Sequence, residues 1–133
     1  MSQENVAAIQ GLYAAFARGD AGAALSLLDR EIVWNEAESF PYADHNPYIG
    51  PEAVAQGVLF RLATEWDNFQ VHAAEYVDGG DIVVTLGRYT GVYKTTGRAL
   101  DAQFAHVWYI KNGKIARFQQ YADTAQTAHA VQG

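Results

Sequence analysis

The chain of 133 residues contains no cysteine. Disulfide frameworks and thiolate chemistry are thereby excluded, and a reducing cytoplasm is the expected compartment. Basic residues are few: nine Lys and Arg stand against fifteen Asp and Glu, a formal net charge of −6. Nucleic-acid binding demands a basic surface that displaces phosphate counterions, so a nucleic acid is not an expected partner. The same charge disfavours anionic membranes. No run approaches the roughly 20 apolar residues of a membrane span. The opening Met1-Ser-Gln-Glu-Asn5 has no basic segment leading into an apolar one, so no signal peptide is expected. Glycine-rich phosphate loops and Ser or Cys nucleophile motifs are missing. His45, His72, His106 and His129 are scattered without ligand spacing, so neither a metal nor another cofactor is expected.

What the chain does have is apolar bulk. Half its residues are hydrophobic and 13% are aromatic, enough for one domain over residues 1–133 with a substantial core. Val6, Ile9, Tyr13 and Phe16 recur at helical spacing within residues 4 to 18. Gly19-Asp20 should stop that helix and cap a short Ala/Leu-rich one reaching about Leu28. A strand follows at Ile32-Val-Trp34-Asn-Glu36-Ala-Glu38, then a polar loop from Ser39 to Gly50. That loop holds Pro41 and Pro47 and an Asp-His-Asn run; it is expected to be mobile and to cover whatever lies beneath it. Pro51 opens a third helix with Val54, Val58, Leu62 and Trp66 as its buried stripe. Strands are expected at Phe69 to Val77, Ile82 to Tyr93, Ala99 to Ile110 and Ile115 to Tyr121. Asn112-Gly113 between the last two is a strong hairpin signal, because Gly accepts the positive φ that such turns require. Asp123, with Gln126 three residues on, should cap a terminal helix.

This order gives an α+β fold, with an antiparallel sheet and helices segregated on one face. Alternation along the strands is not clean. Phe104, Trp108 and Ile110 lie on one face of their strand, yet Val107 and Tyr109, with Tyr121 beside them, populate the other. A sheet with one wet face alternates more sharply, so both faces should be covered. A homodimer is expected to form through Gln103, Val107, Tyr109, Gln119 and Tyr121.

Four segments carry a family resemblance: Tyr13-Ala-Ala-Phe-Ala-Arg-Gly-Asp20, Ile32-Val-Trp-Asn-Glu36, Tyr48-Ile-Gly-Pro-Glu-Ala-Val54 and His106-Val-Trp-Tyr-Ile-Lys-Asn-Gly-Lys-Ile115. In order and spacing they resemble the nuclear transport factor 2-like superfamily, in particular its SnoaL-like and ketosteroid-isomerase-related branch. The resemblance implies a cystatin-like roll, a cone-shaped curved sheet with helices on its concave face, and a cavity between them. It also implies a dimer. Glu36 would fall at the isomerase's general-base Asp. His106 would fall where that enzyme has a protonated Asp donating to the oxyanion. The isomerase's Tyr donor corresponds to Leu12, with Tyr13 one residue off on a different face, so half of that oxyanion hole is missing. The polyketide-cyclase branch has a His at position 106, but its acid/base Asp matches Gln120, whose amide cannot transfer protons.

Two catalytic candidates follow, Glu36 and His106. A carboxylate against aromatic walls gains proton affinity and suits acid/base work, whereas the bland reading of Glu36 is a solvated strand end. His106 is either a donor to substrate or a satisfied structural residue. Gln120 would hold His106 across neighbouring strands through a hydrogen bond. Trp34, Trp108 and Phe118 would form cavity wall, with Tyr48 in the covering loop and Arg61 toward an anionic group as further ligand contacts. The expected function is a cofactor-independent acid/base enzyme of isomerase, cyclase, dehydratase or hydrolase type, acting on a small hydrophobic molecule. The alternative is a non-catalytic ligand-binding or accessory domain of the same fold.

Overall fold

The computed structural model describes residues 2–132. Helix α1 (Ser2–Ala17) ends at Gly19, whose φ of 72° is the left-handed stop that a glycine adopts without strain. Asp20 then caps α2 (Ala21–Ser26), its Oδ1 accepting from Ala23 N at 3.0 Å. Strand β1 (Leu28–Asn35) is followed by a 3₁₀ turn (Pro41–His45) and the two-residue β2 (Tyr48–Ile49). Pro51 opens α3 (Pro51–Val54), which runs through a π-helical stretch (Ala55–Leu59) into α4 (Phe60–Glu65). The long strands β3 (Trp66–Asp78), β4 (Ile82–Tyr93), β5 (Ala99–Lys111) and β6 (Lys114–Ala122) follow. Helix α5 (Thr124–Val131) follows, with Asp123 capping it as expected and accepting from Gln126 N and Nε2.

The six strands form one sheet in the order β2-β1-β6-β5-β4-β3, with the helices packed against it. The α+β architecture expected from the sequence is therefore present, with one refinement to its sheet. β1 pairs with β6 in parallel, through Trp34 opposite Phe118, so the sheet is mixed rather than wholly antiparallel. The helices and loop between β1 and β3 carry the chain across the sheet, and that crossover lets the first strand lie beside the last. The other pairings are antiparallel. Asn112 and Gly113, at φ 52° and 77°, make the tight turn of the β5–β6 hairpin. That turn, together with a one-residue bulge at Ala116 of β6, puts His106 directly opposite Gln120 and Trp108 opposite Phe118.

Curvature comes from bulges in β3 and from a glycine. A Cβ on Gly87 would lie 2.0 Å from His72 O on β3 and 2.7 Å from the Phe104 ring, so only glycine allows the strands to bend this closely. Two boundaries differ from the sequence reading. β1 begins and ends earlier, and Trp66 is the first residue of β3 rather than the last of a helical stripe. The 39–50 segment is also more structured than its composition indicates, with Tyr42 and Tyr48 both buried.

Two packed clusters result. Ile9, Leu12, Ile32, Val54 and Val58 meet Trp34, Trp108 and Phe118 under the helices. Phe40, Tyr42, Trp66, Tyr89, Leu100 and Phe104 form the second, beneath the 3₁₀ turn and α5. Full burial of one such side chain stabilises the fold by about 2 kcal/mol, so these clusters hold the cavity walls in place.

Candidate active site

Between the helices and the sheet lies a half-open cavity of about 620 Å³. Its wall includes Tyr13 and Phe16 of α1, Trp34 and Glu36 from the end of β1, and Leu59 and Leu62 of the α3–α4 helix. From the sheet come Trp66, Tyr89, His106, Trp108, Phe118 and Gln120. Six of the eight residues singled out in the sequence thus share one cavity: Trp34, Glu36, His106, Trp108, Phe118 and Gln120. Strand parity brings them together, since 34 with 36, 106 with 108 and 118 with 120 share the inner face.

Glu36 lies just past the last residue of β1, and a single loop side chain fixes its direction. Asn46 mimics a pairing strand: Glu36 N donates to Asn46 Oδ1 at 3.0 Å, and Asn46 Nδ2 donates to Glu36 O at 2.8 Å. The side chain is 3% exposed, which excludes the solvated-carboxylate reading. Trp34 Nε1 donates to Oε2 at 3.0 Å, while Oε1 has no hydrogen-bond partner among the described residues, and Glu36 lines the cavity. Burial pushes the carboxyl up to about 7, with the Trp34 hydrogen bond and the Arg61 charge pulling weakly the other way. Such a group is poised to accept or release a proton near neutrality.

His106 is 5% exposed, stacked on Phe104 with ring centroids 4.0 Å apart. Both ring nitrogens are engaged. Nδ1 meets the Tyr13 hydroxyl at 2.6 Å, and Nε2 meets the Tyr89 hydroxyl. Burial lowers its pKa to about 3, so the ring is neutral across the ordinary pH range. Each tyrosine oxygen also accepts a fixed N–H: Trp108 Nε1 donates to Tyr13 at 3.1 Å and Gln120 Nε2 donates to Tyr89 at 2.9 Å. Burial holds both phenols well above their usual pKa, and the Glu36 charge adds to the rise at Tyr89.

Two expectations need correction here. Gln120 does not bond the imidazole; its Nε2 reaches Tyr89, and its Oε1 accepts from Ala37 N at 2.9 Å, so it supports His106 at one remove. Tyr13 does not lie off the site. Leu12 is packed in the core at 1% exposure, and the next residue turns its ring into the cavity. Counting from the isomerase's donor missed this because a shift of one residue rotates a helix by roughly 100°. Tyr89 was missed as well, although its parity with Val83 and Thr85 marks it as inward-facing.

Tyr48 and Arg61 stand outside the cavity wall. The Tyr48 ring packs on Gly57, and its hydroxyl donates to Tyr42 O at 2.6 Å. Arg61 turns to Asp44, making two hydrogen bonds of 2.8 and 2.9 Å, and lies over the Tyr42 ring. A fork-shaped guanidinium satisfied by a carboxylate at the surface has little reason to enter an apolar cavity. No group of three or more His, Asp or Glu side chains is placed to hold a metal ion among the described residues.

Residues 9–118 match the profile of the SnoaL-like domain. The chain belongs to the SnoaL-like domain family. Solved structures agree on its fold. An NTF2-like protein of Burkholderia thailandensis is 35% identical, with 95% of each chain covered and a TM-score of 0.90. A second NTF2-like protein, of unknown function, from Burkholderia pseudomallei is 24% identical over 98% of both chains, with a TM-score of 0.89. IdmH of Streptomyces antibioticus, described as a candidate polyketide cyclase, is 20% identical over 95% of this chain and 96% of its own, with a TM-score of 0.79. No curated protein matches the sequence. The fold of this SnoaL-like domain is thus NTF2-like, and no helix among its described residues is long and apolar enough to cross a membrane.

Proposed function

We propose that this SnoaL-like domain is a cofactor-independent acid/base enzyme that acts on a small hydrophobic molecule carrying a carbonyl group. Glu36 takes or returns the proton, and the cavity excludes enough water to keep it reactive. One observation supports this reading above the others: Glu36 lines the cavity within an aromatic wall, has one carboxylate oxygen held by Trp34 and leaves the other without a partner among the described residues. A purely structural carboxylate would have both oxygens satisfied. Isomerisation and cyclisation of such molecules can begin by removing a proton next to a carbonyl, and IdmH, which shares the fold, is described as a candidate polyketide cyclase.

The direct test is solvent exchange. A panel of aryl ketones and β-diketones in D2O, followed by NMR, should include members whose α-protons exchange with catalytic amounts of protein, and Glu36→Gln should stop that exchange while retaining binding. Exchange at an undiminished rate in Glu36→Gln would overturn the assignment. The second reading is a ligand-binding domain without turnover; it draws support from Gln120, an amide where the cyclase branch has its acid/base Asp. Ligands that bind with no exchange in any member of the panel would favour it.

We propose also that a second copy of the chain covers the outer sheet face. Val107 pairs with Gln119 there, and Tyr121 is 57% exposed. Sedimentation should give a dimer at micromolar concentration, converted to monomer by Tyr121→Glu; a monomeric wild type would end this idea.

A further inference from the structure

The hydrogen-bond network around His106 holds one proton more than it can use. A neutral imidazole has one N–H and one bare nitrogen. Tyr13 and Tyr89 bring one hydroxyl proton each, so three protons serve two contacts, Tyr13 with Nδ1 and Tyr89 with Nε2. Neither tyrosine oxygen can lose its role as acceptor, because Trp108 Nε1 and Gln120 Nε2 already point at them. If Nδ1 carries the ring proton, it donates to Tyr13, Tyr89 donates to Nε2, and the Tyr13 proton is left over. If Nε2 carries it, the roles exchange and the Tyr89 proton is left over.

The surplus is not absorbed inside the wall. Thr85 sits on β4 directly opposite His106 of β5, close enough to Tyr13 to favour its anion. Yet the pair falls short of hydrogen-bond geometry, and Thr85 Oγ1 is a buried side-chain polar atom without a partner among the described residues. Both tyrosines border the cavity, and His106 has no nitrogen left for a ligand.

We infer that His106 is a positioning residue: its tautomer selects whether Tyr13 or Tyr89 offers a hydrogen bond to the cavity, and the ligand presents an acceptor oxygen there, of ketone or enolate type. The direct donor to substrate is then a tyrosine, not the histidine. A ligand oxygen at either end can be served without any net proton transfer to it, because moving the ring proton from one nitrogen to the other exchanges the two hydroxyls. The naming of a carbonyl ligand rests on the acid/base reading above; the tautomer argument rests only on the network.

The test uses protein labelled with ¹⁵N in its histidines, with the His106 ring identified by its loss in His106→Gln. At about pH 7 the ring should show one protonated and one bare nitrogen. Tyr13→Phe removes the partner of Nδ1, and a bare nitrogen is easier to leave unpaired than an N–H. The ring should then adopt the Nε2–H form, with the freed Tyr89 hydroxyl turned to cavity water. Tyr89→Phe should give the opposite, Nδ1–H, form. In unsubstituted protein, 2-acetylnaphthalene should bind about tenfold more tightly than 2-isopropylnaphthalene, as one net hydrogen bond requires. That preference should survive each single substitution and vanish in the double variant. An imidazolium in the wild type, the same tautomer in both single variants, or a ketone preference unchanged in the double variant would each overturn the inference. Opposite tautomers with no proton exchange by Glu36 would leave the network argument standing and sink the enzyme reading instead.

Discussion

Two polar constellations flank the same cavity, and they differ in how completely they are satisfied. Around Glu36 and His106, nearly every atom is buried, pKa values move far from their ordinary range, and one carboxylate oxygen and one proton remain unspent. Around Asp44 and Arg61 the groups are partly exposed and closed on themselves. The guanidinium beside Asp44 holds its carboxyl below the usual range, Asp44 in turn raises Arg61, and burial with the Asp44 charge pushes Tyr48 up to about 12. Tyr42 donates to Glu65 at 2.5 Å and accepts from Trp66 Nε1 at 3.1 Å, tying the 3₁₀ turn to the end of α4. A closed network stiffens the cover of the cavity; an open one has capacity for a ligand. Charged residues near a cavity are therefore poor guides to chemistry unless some of their hydrogen-bonding potential is left unmet.

The largest effect should come from closing the open network. Glu36→Gln keeps the shape and the Trp34 contact but cannot accept a proton, and it should lower turnover or solvent exchange by about 10² to 10⁴-fold, the span of general acid–base catalysis. The corresponding Arg61→Ala change should alter the rate less than about threefold, since a rim ion pair is not expected to contact the reacting atoms. Equal losses in the two variants would erase the distinction between the constellations.

Gly57→Ala attacks the closed side. An added Cβ would meet the Tyr48 ring at 2.1 Å, and that ring is pinned through its hydroxyl. Overpacking costs about 1–3 kcal/mol, against a gain of up to about 1 kcal/mol from replacing glycine in a helix. Net destabilisation of about 1–2 kcal/mol in urea unfolding is expected; a stabilised variant would mean that the Tyr48 contact yields easily.

Much of this contrast was legible where the chemistry is local. Asp20 and Asp123 as caps, Gly19 as a helix stop and Asn112-Gly113 as a turn all act within a few residues, and each is present. The hairpin itself follows from that one turn, but the pairing of His106 with Gln120 also needs the one-residue bulge at Ala116, which no local signal announced. What escaped depends on distant partners. Asn46 captures the backbone of Glu36 from a loop ten residues on, and nothing in an Asp-His-Asn run announces that. The β1–β6 parallel pair joins strands about 80 residues apart in the chain, Trp34 to Phe118, which no local period encodes. Tyr89 was readable from strand parity but carried no motif, and Arg61 was misread because helical spacing does not disclose a partner such as Asp44.

Stability against pH separates the constellations through sign. Glu36 is raised from 4.5 to about 7 on folding, so its contribution is fully present below about 4.5 and is lost as pH rises through about 7. His106 is lowered from 6.5 to about 3, so the unfolded chain binds the extra proton, and stability is lost as pH falls from about 6.5 toward 3. Between about 4.5 and 6.5 the two slopes oppose each other, each near 1.4 kcal/mol per pH unit, and the wild type should be nearly flat. Glu36→Gln should uncover the histidine slope, with stability rising with pH across that window. His106→Gln should uncover the carboxyl slope, with stability falling. Parallel curves for wild type and both variants would show that neither group titrates differently on folding.

The smallest effect is expected from Asp44→Ala. Its carboxylate is 44% exposed and Arg61 is 24% exposed, so solvent screens their attraction, and the paired geometry should contribute about 1 kcal/mol or less. Removing Asp44 also takes the 3.2 Å contact from the Tyr48 hydroxyl, but that hydroxyl keeps Tyr42 O as its acceptor. The loss should therefore shrink further at 1 M salt, where the screening length is about 3 Å. A loss well above 2 kcal/mol, insensitive to salt, would show that the pair behaves as a buried one. The cover over the cavity would then depend on charge rather than on the packing of Tyr42 and Tyr48, and the contrast with the Glu36 side would narrow to the unpartnered atoms alone.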